Sequence, residues 1–303
     1  VAKEIQKENV PKRIYFQYRQ GILMATPKTD LQKFLDTKKA DTRLIGDIER
    51  HLMRQPESNR RTDVLHPSEI IKADWCHKYA YYLLNGGKAK KEKPNLRLQN
   101  IFDEGHFIHA KWQNRLADMG VLYGNWYCET DDKSEWGVSS EVNSGPSVFE
   151  YKEVPLVYEP LRIHGHADGW VKGIGDDCLI EIKSIGAGTL RFEAPELLYD
   201  ADGDLTKAWK NIRRPFRTHL LQGQMYLELA KRQFGEDAPN EIVFIYELKA
   251  DQDYKEFTIK SDYYVVERIF NAAQKVIDAV DAGVSPACNV DPAGCKYCSL
   301  IGK

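Results

Sequence analysis

Apolar positions recur at steps of three and four through the first 120 residues, and from about residue 121 they alternate with polar ones. The first spacing puts apolar side chains on one face of a helix, and the second puts them on one face of a strand. "DLQKFLDTKKADTRLIGDIERHLM" (30–53) is a helical candidate with patchy spacing. "LHPSEIIKADWCHKYAYYLLNGG" (65–87) reads as a second helix, with Ser68 as cap and Gly86 at its end. "LRLQNIFDEGHFIHAKWQNRLADMG" (96–120) is a third, with Leu98, Ile101, Phe102, Gly105, Ile108, Trp112 and Leu116 in one stripe. The segments 121–129, 148–159, 161–172 and 178–185 then read as strands. Residues 186–212, rich in Gly, Asp and Lys, read as a long loop. A helix is expected over 215–235, strands over 241–250 and 255–260, and a last helix over 262–283.

This order predicts a mixed α/β fold with a central mixed sheet flanked by helices. Residues 1–60 form an expected N-terminal helical extension, and 61–303 the main domain. The 303 residues are 42% hydrophobic and 29% charged, an ordinary globular composition. The formal net charge of −2 gives no global positive field, so any nucleic-acid surface has to be local. No apolar run reaches 18 residues and the first ten residues are polar. The expectation is therefore a protein with no membrane span, in the cytoplasm.

Charged groups sit where a strand would favour apolar ones. In "HGHADGWVKGIGDDCLIEIKSIG" (164–186), Glu181 and Lys183 share a face, and a hairpin can set Asp168 beside Glu181. Neighbouring carboxylates resist ionising together, and a divalent cation resolves the conflict. Oxygen donors of this kind suit Mg²⁺ or Mn²⁺. An ordinary cross-strand Glu/Lys pair on a solvated face is the plainer alternative.

"GHADG…IEIK" resembles the core of the PD-(D/E)XK nuclease superfamily, in its RecB-, Cas4-, AddB- and Exo5-like branch. Ala167 stands where that family often has Pro. The resemblance implies a mixed sheet with flanking helices and metal-dependent hydrolysis of DNA. Its Gly-x-x-x-His helix matches Gly105 and His109, with His106 as a competing choice, and its Gln-x-x-x-Tyr helix matches Gln222 and Tyr226. The implied metal ligands are His109, Asp168, Glu181 and the Ile182 carbonyl. Lys183 assists the attacking water, and Gln222 and Tyr226 position substrate. A DNA exonuclease acting on single strands or DNA ends is implied, in repair, recombination or phage DNA processing, inside a bacterium or a phage-infected cell. A non-catalytic DNA- or partner-binding subunit with a retained nuclease fold is the alternative.

Three of the six cysteines, Cys288, Cys295 and Cys298, fall within the last sixteen residues. A closed metal site needs a fourth thiolate, for which Cys76, Cys128 and Cys178 compete, with His77 as another candidate. The iron–sulfur members of the branch place one Cys upstream and three at the C-terminal end, which singles out Cys76 and implies a [4Fe–4S] cluster. Spacing alone also allows zinc. For DNA, Lys207, Lys210, Arg213, Arg214 and Arg217 lead into the Gln222 helix, interleaved with Trp209 and Phe216. Cations suit phosphates and aromatic rings suit unpaired bases.

Overall fold

The computed structural model describes residues 43–55, 60–88, 93–143, 149–290, 295 and 297. Contacts divide the chain into a unit ending at His51 and a unit running from Leu52 to Lys303. The first contributes only part of helix α1 (Arg43–Arg54) to the described residues. The rest of the 30–53 helical expectation lies outside them.

The second unit opens with two short helices, α2 (Pro67–Ile70) and α3 (His77–Leu84), where one helix is expected. The break has a tertiary cause. Asn289, from the far end of the chain, donates to the Trp75 carbonyl at 2.9 Å and accepts from the His77 N–H at 2.8 Å. Residues 75–77 are thereby held out of a helical ladder, and Cys76 is left extended as the residue before α3.

Helix α4 (Leu96–Asp118) follows, capped by the Asn95 side chain on the Leu98 N–H. Its apolar stripe is only half core. Ile108, Trp112 and Leu116 pack on the sheet, but Leu98, Ile101 and Phe102 are 41–47% exposed. The strands are β1 (Leu122–Cys128), β2 (Lys133–Val138), β3 (Glu150–Lys152), β4 (Val154–Tyr158), β5 (Ile163–Ala167), β6 (Gly169–Val171), β7 (Cys178–Ile185), β8 (Glu241–Leu248) and β9 (Tyr254–Lys260). Helix α5 (Ser139–Val142) lies between β2 and β3. The main sheet has the order β2-β1-β6-β7-β8-β9, with β3 sharing an edge of β1 with β6. Among the described strands of this sheet, β7 and β8 are the one parallel pair.

A parallel step needs a long crossover. Residues 186–240 supply it as α6 (Ala187–Glu193), α7 (Pro195–Asp200), α8 (Leu205–Asn211) and α9 (Arg217–Phe234). The long loop expected over 186–212 is thus three helices. Each is one or two turns long, so none carries a full apolar stripe, yet Leu190, Ala208, Trp209 and Ile212 are buried. Helix α9 is covered from Gln222 to Ala230 and packs on one face of the sheet, while α4 crosses the other. Helix α10 (Tyr263–Asp281) closes the described fold. No helix among the described residues is long and apolar enough to cross a membrane.

The segments 148–159 and 161–172 each split where one strand is expected. Strands β4 and β5 leave the main sheet and pair with each other as a separate ribbon. One residue joins β3 to β4 and one joins β5 to β6: Glu153 and Asp168. With Val154 opposite Ala167, the two junction residues face each other at the foot of the ribbon.

Candidate active site

Strand β6 begins at Gly169, opposite Ile180. One residue further, the neighbouring edge of β7 meets the Asp168 side chain instead of a backbone. The Ile182 N–H donates to Asp168 Oδ2 at 2.6 Å. A residue's N–H and C=O point to the same edge of its strand, so the Ile182 carbonyl faces this junction too. From α4, His109 Nδ1 lies 3.2 Å from Asp168 Oδ1. One turn on, Gln113 Nε2 donates to the Asp168 carbonyl at 2.8 Å. Residues four apart share a helix face, which lets one helix hold both the carboxylate and the main chain of one aspartate.

The ligand atoms of His109, Glu153 and Asp168 all lie within 4.8 Å of one another. Glu153 is absent from the sequence expectation. The available signal was its place one residue past a strand end, legible only with the register known. His106 is exposed and outside the group, so of the two helix histidines it is His109 that meets the acids. Glu181, buried on β7, turns Oε1 to Lys183 Nζ at 2.6 Å, and its Oε2 is buried with no partner. A buried carboxylate oxygen without a partner is costly. Glu181 is not within the close group of three, although its charge acts on His109 there. A divalent cation would relieve the crowding of Glu153 and Asp168, and oxygen donors with one imidazole suit Mg²⁺ or Mn²⁺. The residues present therefore fit such an ion.

The electrostatics agree with this. Burial, then Asp168, raises the pKa of Glu181. Glu153 retains solvent access, yet the protein around its carboxyl and the nearby Asp168 push it up to about 7. Burial acts to strip Lys183 of its proton, but Glu181 and Asp168 outweigh it and the pKa rises. Burial likewise opposes the charge on His109, and the hydrogen bond and charge of Asp168 overcome it. Tyr151, two residues before Glu153, has a buried hydroxyl without a partner.

Lys183 also donates to Gln222 Oε1 at 2.9 Å, and Gln222 Nε2 donates to the Tyr226 hydroxyl at 2.7 Å. The expected pairs therefore join in one chain, Glu181–Lys183–Gln222–Tyr226, between β7 and α9. Two glycines permit it. A Cβ at Gly165 would stand 2.9 Å from the Tyr226 ring, and one at Gly223 would stand 2.4 Å from Phe244 Cζ.

His109 opens on a cleft of about 1250 Å³. Its cationic lining is Arg60, Lys93, Arg97, Arg191 and Lys249, none of them in the basic segment singled out from sequence. That segment corrects in part. Trp209 is 1% exposed and its Nε1 donates to Asp253, so its ring anchors α8 and is not offered to a base; Phe216 is buried as well. Both occupy apolar positions of the crossover, where core packing outcompetes display. Lys207, Lys210, Arg213, Arg214 and Arg217 lie in or beside α8 and at the start of α9, and none lines the cleft.

A second cluster gathers sulfur. The thiols of Cys76, Cys288 and Cys295 lie within 4.8 Å of one another. Burial first, then the other two thiols, pushes Cys76 up to about 11. Cys298 lies outside the described residues. Cys178 is buried in β7, and Cys128 contacts Thr130 at 3.2 Å, so neither competes for the group. His77 is not part of it.

No family model and no curated protein matches the chain. Among solved structures it is similar to LHK-Exo in complex with dAMP, at 14% identity over 74% of this chain and 90% of that one, with a TM-score of 0.44. It is also similar to the alkaline exonuclease LHK-Exo from Laribacter hongkongensis, at 13% identity over the same shares and a TM-score of 0.42. A third, SSO0001, has 12% identity over 77% of this chain and 83% of that one, at 0.35. Scores of this size fix neither a family nor an activity, and the chemistry rests on the residues above.

Proposed function

We propose that this chain is a divalent-metal-dependent deoxyribonuclease of the PD-(D/E)XK superfamily, from its RecB/Cas4-like iron–sulfur branch. It hydrolyses phosphodiester bonds as an exonuclease on single strands or DNA ends, in repair, recombination or phage DNA processing. The observation that carries the reading is the convergence of His109, Glu153 and Asp168; Glu181, whose Oε2 is buried without a partner, falls outside that close group but acts electrostatically on it. His109, Asp168, Glu181 and the Ile182 carbonyl, joined by Glu153, hold Mg²⁺ or Mn²⁺. Such an ion polarises a phosphoryl oxygen and lowers the pKa of bound water.

The remaining groups act from the chain itself. Lys183 stays protonated beside Glu181, and its ammonium offsets charge gathering on the phosphate and orients the attacking water. Gln222 fixes the Lys183 head group, and Tyr226 fixes Gln222. The open cleft beside His109 admits a polymer. Cys76, Cys288, Cys295 and Cys298 hold a [4Fe–4S] cluster, for which the three gathered thiols are the support; zinc is the rival occupant.

The test uses end-labelled single- and double-stranded DNA, linear and circular, with Mn²⁺ or with chelator. Degradation of linear DNA only with metal is expected, and circles should resist. Glu181→Ala should abolish degradation while circular dichroism stays native; cleavage retained by that variant would sink the assignment. Linearised circles would make the enzyme an endonuclease. Protein prepared without oxygen should absorb near 400 nm, and a colourless, zinc-loaded protein would replace the cluster with zinc.

A further inference from the structure

The cleft beside His109 combines two properties that a duplex would not use together. Among the described residues lining it there are five cations, Arg60, Lys93, Arg97, Arg191 and Lys249, and no Asp or Glu, in a chain whose net charge is −2. Three of the five are already engaged. Lys93 donates to the Met53 and Gln55 carbonyls, Lys249 to the Ile101 carbonyl, and Arg60 pairs with Glu69. Arg97 and Arg191 are exposed and have no carboxylate partner among the described residues. They are the cations left to meet an outside anion.

The second property is apolar. The stripe of α4 runs past the edge of the sheet, so Ile101 and Phe102 face the cleft, 45% and 47% exposed, between Arg97 and the His109 end. A duplex shows phosphates and groove edges and keeps its base faces stacked, which leaves a ring in this position without a partner. An unpaired strand offers every base face to an aromatic side chain, with cations tracking its phosphates.

We propose that this cleft is the binding path for unpaired DNA: Arg97 and Arg191 take phosphates, and Phe102, backed by Ile101, stacks on a base next to the metal-ligand cluster. The assignment rests on the nuclease reading and narrows it to single-stranded substrate, entering along α4 and not over the 207–217 segment.

Fluorescence anisotropy of the full chain in chelator, with labelled oligothymidine, an abasic strand of equal length and a blunt duplex, tests it. Single strand should bind at least about tenfold more tightly than duplex. Phe102→Ala should weaken the oligothymidine roughly tenfold, in line with base–aromatic stacking, and leave the abasic strand unchanged. Arg97→Glu and Arg191→Glu should weaken both strands, and neutral Arg97→Gln should reduce the salt slope by about 0.7 per lost contact. All three substituted side chains are solvent-exposed, and an unchanged melting temperature confirms folding. Equal affinity for duplex, or a Phe102→Ala protein that binds oligothymidine like the wild type, overturns the proposal. A Mn²⁺ arm separates the two claims. Expected binding without cleavage would sink the nuclease and keep the path, whereas cleavage with binding indifferent to Phe102 and Arg97 would do the reverse.

Discussion

Asp168 shows how much of a site can depend on one neighbour that carries no charge. Its carboxylate meets His109 and the Ile182 N–H, but its main chain is held by Gln113 alone among the side chains of α4. Loss of groups that orient a metal ligand commonly weakens metal binding 10- to 100-fold. Gln113→Ala should therefore weaken Mn²⁺ binding by roughly that factor, read by titration calorimetry, while the metal-free melting temperature barely moves; an equal loss of both would make Gln113 merely structural. A second consequence concerns protons. Glu153 ionises only near pH 7 and Glu181 also above the ordinary carboxyl range, and a bound ion needs both deprotonated. Folded pKa values above the unfolded ones mean that the native state binds more protons, so metal-free stability should fall as pH rises from the ordinary glutamate range to about 7. The raised His109 and Lys183 act with the same sign. Melting scans from pH 5 to 8 should show this decline in chelator and its reversal with Mn²⁺, together with proton release on binding near pH 6. Asp168, Glu181 and Lys183 stood out in the sequence as charged groups among apolar strand positions, whereas Gln222 and Tyr226 were named by the family resemblance alone. Neither signal reached Glu153 and Gln113, since their roles come from a strand break and a tertiary contact.

Among the elements, periodicity located β7, β8, β9, α4, α9 and α10 to within a few residues, because each is long enough to repeat its pattern. It failed where length failed. Helices α6, α7 and α8 are too short to show a face, and β3/β4 and β5/β6 read as single strands because Glu153 and Asp168 interrupt each for one residue only. The stripe of α4 misled in another way: its spacing is real, yet only its second half is core. At Gly223 the packing of α9 on β8 leaves no room for a side chain, with Phe244 Cζ at 2.4 Å and Ile242 Cγ2 at 3.3 Å from an added Cβ. Gly223→Ala should cost about 1–3 kcal/mol through overpacking, read in urea denaturation. It should also lower activity, because Gln222 is the next residue and holds Lys183. Pairing it with Phe244→Leu should recover part of the loss, and strict additivity of the two changes would show that the clash is relieved elsewhere.

Across the whole unit, the Cys group and the Asn289 clamp bind the segment before α3 to the chain end beyond α10. Closing a loop of more than 200 residues restricts the unfolded chain strongly, since closure entropy grows with the logarithm of length. An occupant of the thiol site would thus act on stability far more directly than on the acids around Asp168. Cys76→Ala should remove absorption near 400 nm, or bound zinc, and lower the melting temperature by several degrees, a shift of about 2–4 °C per kcal/mol in a domain of this size. Mn²⁺ affinity of the surviving folded protein should stay within about twofold of wild type, because no ligand of that site lies in the tied segments. A melting temperature unchanged in Cys76→Ala would mean that Asn289 and the packing of α3 on α10 hold the junction without help from sulfur. In that case Asn289→Ala, which frees the Trp75 carbonyl and the His77 N–H, should be the more destabilising of the two substitutions.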